Sequence, residues 1–184
     1  MNTITSLHIA QLFRLSICYS EKIFVWLISN LYELHDREEE TVKQFIKYEA
    51  ELSEKKSKEL YDVENLPFYG DSFFFLFKKL NSDLTDANCL SLALVCQSFV
   101  SWKKGYLTME EYYEIRDMLV AFDLAITETF ANIDVLIKEY ELLSTNKQMM
   151  YIKKIGKVII DEVPDKTIIE GAFEQIYFDE YDNG

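Results

Sequence analysis

The chain has 184 residues, 49% of them hydrophobic and 15% aromatic, which is enough for one domain with a real core and argues against global disorder. Its formal net charge of -13, with a pI near 4.6, repels phosphate backbones and anionic lipid surfaces over most approaches, so no direct nucleic-acid or membrane binding is expected. Only five glycines and two prolines punctuate the chain, which predicts long helices joined by short loops.

Residues 4–35 carry apolar positions at helical spacing, with an expected break near "CYSEK". The longest apolar stretch, "IFVWLISNLY", is about half of the ~20 residues a membrane-spanning helix needs and reads as a core helix. No basic region precedes the apolar residues at the N-terminus, Arg14 being the first positive side chain, so no signal peptide is expected. "DREEETVKQFIKYEAELSEKKSKELYDVE" is an amphipathic helix with a stripe of Val42, Phe45, Ile46 and Leu52, acids early and lysines late as the helix dipole prefers. "NLPFYGD" is a loop, after which Asp71 or Ser72 is expected to cap the next helix. "CLSLALVCQSFVSWKKG" is apolar nearly all round and predicts a central buried helix closed at Gly105.

Thr108 and Glu111, in capping-box spacing, open "LTMEEYYEIRDMLVAF"; "NIDVLIKEYELL" is a further short amphipathic helix. In "YIKKIGKVIIDEV" the period changes to two, which predicts two short strands around Gly156, near residues 150–162. "PDKTIIEGAFEQIYF", opened by Pro164, returns to helix, and "DEYDNG" (179–184) is an acidic tail expected to fray. No repeat or linker interrupts this order. The fold class is therefore mainly α, a multi-helix bundle with a short two-strand unit, as a single domain over 1–184.

Three cysteines without framework spacing, two of them (Cys89 and Cys96) seven apart on one helix face, predict buried thiols and a reducing, cytoplasmic setting. The only two histidines stand outside any catalytic pattern: His8 fits a cap or a satisfied core residue, and His35 an exposed helix end. No nucleophile elbow, Walker loop or paired-cysteine metal motif is present, and no glycine-rich phosphate loop follows a strand. The basic runs "SEKKSKE" and "WKKG" are flanked by acids and form no nucleic-acid patch.

"CLSLALVCQSFVSWKKGYLTMEEYYEIRDMLVAFDLAI" resembles the C-terminal helical domain of 3-dehydroquinate synthase and its relatives, the sugar-phosphate cyclases. "YIKKIGKVIIDEVPDKTIIEGAF" is similar to that family's terminal two-strand unit and last helix, and "AQLFRLS" to the "AEVIKYG" stretch that opens the domain. The resemblance implies where functional residues would fall. The family's first zinc ligand, a glutamate, falls on Gln11, and the lysine of the same stretch on Arg14. Its "GHTxGH" motif falls on "GDSFFF", which puts Asp71 at a ligand histidine and Phe75 at the second histidine, with Phe68 in place of the preceding asparagine. Its "HGE" falls on "DAN", giving Asp86 for the remaining ligand histidine and Asn88 for the glutamate. Of the "DKK" lysines only Lys147 is left. The full enzymes also have an NAD-binding half, for which this chain has no room, so neither NAD nor another cofactor is expected.

Every ligand position is thus altered. Gln11, Asp71 and Asp86 form an oxygen-rich set, harder than zinc favours and closer to magnesium or calcium chemistry, and no metal is expected. Phe73, Phe74, Phe75 and Phe77 either fill the former cleft, each buried ring contributing on the order of 2–3 kcal/mol, or form an aromatic contact groove. Phe24, Trp26, Phe73, Phe74 and Phe77 are the candidate contact surface. The leading expectation is a non-catalytic, degenerate domain acting through a protein partner or self-association. The alternatives are an acidic inhibitor that mimics nucleic acid, and a divergent metal-dependent enzyme in which Asp71 and Asp86 bind the ion while Arg14 and Lys147 hold an anion.

Overall fold

The computed structural model describes residues 4–130 and 132–178, so the acidic tail at 179–184 lies outside the described residues. Helix α1 (Ser6–Tyr19) starts at Thr5, whose hydroxyl accepts the His8 amide at 3.2 Å while the His8 ring accepts the Thr5 amide at 3.1 Å. His8 thereby fills the place that Glu or Gln holds in a capping box. Ser20 ends α1 in extended conformation and accepts the Ile23 amide to open α2 (Glu21–Ser29), which puts the break where "CYSEK" predicts it. A second, unanticipated break at Asn30 separates α3 (Leu31–His35): the Asn30 side-chain amide donates to the Trp26 carbonyl at 2.9 Å, in competition with continuation of the helix.

Helix α4 (Glu39–Lys58) buries Phe45 and Leu52 and half-buries Val42, whereas Ile46 lies on the solvent side, so the apolar stripe is narrower than predicted. Helix α5 (Asp71–Leu80) is capped by neither Asp71 nor Ser72. Its N-cap is Gly70 at φ +91°, a left-handed turn that an L side chain resists, and no side chain bonds the first turn. Helix α6 (Asp86–Lys103) is opened by Thr85 and buried on every side from Cys89 to Ser101, packed against α1, α5, the first strand and two later helices. Gly105, at φ +96°, closes it.

The predicted Thr108–Glu111 capping box opens α7 (Met109–Ala121), and Asn132 caps α8 (Ile133–Leu143). Strands β1 (Gln148–Lys154) and β2 (Lys157–Glu162) pair antiparallel with Met150 opposite Ile160. Helix α9 (Lys166–Ile176) begins two residues after Pro164 and packs on α6 and α8. Among the described residues no helix is long and apolar enough to cross a membrane.

Because α6 has no wet side, its polar groups find partners within the protein. Gln97 Nε2 donates to the Met150 carbonyl at 2.7 Å, Ser101 Oγ accepts the Ile152 amide at 3.1 Å, and the buried Tyr69 hydroxyl meets Ser98 Oγ at 3.0 Å. These bonds fasten both β1 and the loop before α5 to one helix. Ser91 Oγ is the exception, with no partner among the described residues.

Cys18, Cys89 and Cys96 are free and buried, and burial pushes all three thiols up, Cys89 to about 11. At neutral pH they are protonated and enclosed, so a thiol reagent is expected to label none of them in the native protein and all three after denaturation. A second prediction concerns the hairpin turn. A Cβ on Gly156 (φ +94°) would lie 2.6 Å from the Glu21 amide nitrogen, whereas one on Gly105 meets nothing within 4 Å. Gly105→Ala should cost only the backbone strain, about 1–3 kcal/mol, and Gly156→Ala distinctly more, as read from urea unfolding of the two variants.

Candidate functional site

Gln11, Arg14 and Leu15 share one face of α1 at i, i+3 and i+4, and Glu49, Ser53, Lys56 and Ser57 share one face of α4 at i, i+4, i+7 and i+8. Where α1 packs on α4 these faces form the two walls of an open cleft of about 520 Å³, with Phe68 at its side. Tyr19 stacks on Phe68 with ring centroids 6.2 Å apart. Arg14 Cζ stands 4.6 Å and Lys56 Nζ 3.9 Å from the Phe68 centroid, so two cations share one ring. Desolvation, and then the charge of Arg14, holds the Lys56 amine below the usual lysine range.

Three of the sequence-derived positions, Gln11, Arg14 and Phe68, meet in this cleft. Asp71 reaches it through Arg14: Nη1 donates to Asp71 Oδ1 at 2.6 Å, and both side chains are mostly buried, 15% and 29% exposed. Asp86 does not join them. It sits at the start of α6, half exposed, and pairs with Lys78 at 2.9 Å, at the far end of α5 from Asp71. Asn88 Oδ1 accepts the Ala125 amide at 3.0 Å, a structural contact. Lys147 is exposed just before β1 and lines no part of the cleft, so it does not pair with Arg14 as an anion clamp. Among the described residues no three His, Cys, Asp or Glu side chains gather as a metal would require. Asp71 is engaged by Arg14, Asp86 pairs elsewhere with Lys78, and Gln11 alone of the three lines the cleft, so these positions do not converge as a tetrahedral zinc site requires.

The aromatic residues divide by helical phase. Phe73 and Phe77, with Leu76, form the buried face of α5, where Phe73 lies 5.7 Å from Phe173 and 5.4 Å from Tyr140 between ring centroids. Phe24 is buried as well, edge-on to Phe13 at 5.6 Å. These three are core residues and drop out of the expected contact surface. The reason is the 3.6-residue repeat, which takes positions 73, 76 and 77 inward and turns 75 out. Trp26 and Phe74 are half-buried, and Phe75 is 61% exposed. Phe75 and Leu143 instead line a second cavity, of about 350 Å³, that also has Asp71 in its wall. Sequence reasoning missed Glu49, Ser53 and Lys56. Their helical spacing was visible, but only the α1–α4 packing shows which face of α4 looks at Arg14.

The observed fold, a central all-buried helix ringed by helices with a terminal two-strand unit, is shared by a solved structure. That structure, of ValA, 2-epi-5-epi-valiolone synthase from Streptomyces hygroscopicus subsp. jinggangensis 5008 with NAD+ and Zn2+ bound, matches 94% of this chain at a TM-score of 0.79 and 14% sequence identity. The match covers 52% of ValA, so the chain spans about half the length of that relative. At this identity the likeness is one of fold. No protein-family model matches the sequence, and no curated protein matches it.

Removing the Asp71 charge leaves Arg14 uncompensated in a mostly buried place. Asp71→Asn is therefore expected to cost on the order of 1–2 kcal/mol in urea unfolding, between an exposed pair and a fully buried one. Asp86→Asn, at its half-exposed pair, should lose clearly less.

Proposed function

We propose that this protein is a degenerate cyclase-like helical domain that performs no catalysis and works through protein contacts. The carrying observation is the Arg14–Asp71 ion pair at 2.6 Å, which sets a side-chain cation against the position where the resemblance puts a zinc-ligating histidine. Asp86 has its own cation in Lys78, and Gln11 has no charge to offer a metal. A protein whose fold persists while its ligand positions pair with its own lysine and arginine has kept a scaffold rather than a Lewis-acid site.

The contact reading is supported by an apolar strip different from the one the sequence suggested. Phe75, Leu142 and Leu143 are 61%, 64% and 46% exposed. Phe75 and Leu143 share one cavity wall, and Leu142 is the next residue on α8. Large apolar side chains held out to solvent beside a cavity are the kind of surface that association covers. The nucleic-acid mimic has less behind it. On α4, where acids are dense, Lys43 reaches Glu39 at 3.0 Å and Glu40 at 3.1 Å, and Lys58 reaches Glu54 at 2.7 Å, which breaks up the run of negative charge.

Two measurements test the proposal together. Protein purified from zinc- and manganese-supplemented medium should contain far less than one equivalent of metal. Stoichiometric metal that disappears in Asp71→Asn would overturn the non-catalytic reading. Light scattering should show a mass that rises with concentration, and Phe75→Ser with Leu142→Ser should abolish the rise. A concentration-independent monomer, unchanged by the double variant, would remove self-association through this strip.

A further inference from the structure

The β1–β2 hairpin has one edge fastened to the protein and one edge open. Val163 N donates to the Lys147 carbonyl at 3.0 Å, so the odd-numbered residues of β2 turn their backbone groups toward β1 and the even-numbered ones turn theirs away. The facing strand obeys the same alternation. Met150 and Ile152, directly across from Ile160 and Val158, turn outward and are taken up by α6, through Gln97 Nε2 at 2.7 Å and Ser101 Oγ at 3.1 Å. The sheet has no third strand among the described residues, and there the outward amides and carbonyls of Val158 and Ile160 meet no partner.

Both ends of this edge are closed. The Gly156 amide is spent on the Ile17 carbonyl at 2.7 Å, the Glu162 amide on Asp161 Oδ1 at 2.8 Å, and the Glu162 carbonyl on the Tyr151 hydroxyl. An added strand therefore bonds Val158 and Ile160, and these two residues fix which strand fits. A second copy of β2, antiparallel about a two-fold axis, satisfies both residues of both copies in one register, with Val158 opposite Ile160 and Ile159 on the axis. Setting Val158 or Ile160 opposite itself brings Gly156 or Glu162 into the ladder, where their groups are already used. The satisfied register also places Lys157 opposite Asp161 twice, at positions where cross-strand side chains come closest. Lys157 is exposed with no carboxylate within 4 Å among the described residues, and the Asp161 side chain is 37% exposed.

We propose that β2 pairs antiparallel with β2 of a second copy of this chain, making a four-stranded sheet across a two-fold axis. The run Val158–Ile159–Ile160 is β-branched throughout, and no charge or proline within it blocks an incoming strand. At physiological ionic strength the repulsion between two chains of net charge -13 is screened beyond ~8 Å, whereas the Lys157–Asp161 pairs lie within that range. This interface goes beyond the strip of Phe75, Leu142 and Leu143, which belongs to α5 and α8. The edge pair makes a two-chain unit, and contacts through the strip act on that unit.

The test uses the full chain carrying Phe75→Ser and Leu142→Ser, so the strip plays no part and its failure leaves the result untouched. Sedimentation should give the mass of two 21.7 kDa chains at every working concentration. Lys157→Glu, which sets like charges opposite each other, should return it to one. Ile159→Cys should form a disulfide-linked pair in a glutathione redox buffer, because the two thiols face each other across the axis while the native thiols are buried. Lys157→Cys is more exposed but ~13 Å along the strand from its own counterpart in this register, and should not cross-link. A one-chain mass overturns the proposal, as does a two-chain mass that Lys157→Glu leaves unchanged. Equal cross-linking of both cysteine variants also overturns it, because that result reports collision. So does a folded Ile159→Cys variant that stays uncross-linked; where that variant does not fold, the sedimentation result alone decides.

Discussion

Gln97, Ser98 and Ser101 sit on a helix with no solvent-facing side, so each must find a hydrogen-bond partner among protein atoms or cost the fold its desolvation energy. The partners they find lie on two other parts of the chain. Gln97 takes the Met150 carbonyl and Ser101 takes the Ile152 amide, both on β1, while Ser98 and Ser101 meet the Tyr69 hydroxyl. A hairpin and a loop distant in sequence are thereby fixed to the same helical turns, and α5 packs on that helix too, with Phe73 edge-on to Phe173 of α9.

The cleft inherits its geometry from that arrangement. Tyr69, anchored in the core, is followed by Gly70 in a left-handed turn, and the turn delivers Asp71 to Arg14. Phe68, on the other side of Tyr69, is presented to α1 and α4. The opposite wall is braced as well, since the Gly156 amide donates to the Ile17 carbonyl at the end of α1 at 2.7 Å. Site residues that carry charge are therefore held by residues that carry none.

Electrostatics then decides what the site can do. With the guanidinium of Arg14 against Asp71, that carboxylate already has its cation in a side chain of the protein. The likeness to ValA is one of fold.

Local rules made much of this legible in the sequence. The Thr108–Glu111 box, the Gly105 stop, the buried "CLSLALVCQSFVSW" helix and the Gly156 hairpin each depend on residues within a few positions of one another, and backbone sterics and hydrogen bonding settle them there. The capping of α5 by Gly70 rather than Asp71 or Ser72, the inward turn of Phe24, Phe73 and Phe77, and the meeting of Arg14 with Lys56 were settled only by tertiary structure. A helix's own period shows which residues share a face. Which neighbour that face meets, and so whether a ring is core or a lysine is left without a carboxylate, depends on long-range packing, and no local pattern encodes it.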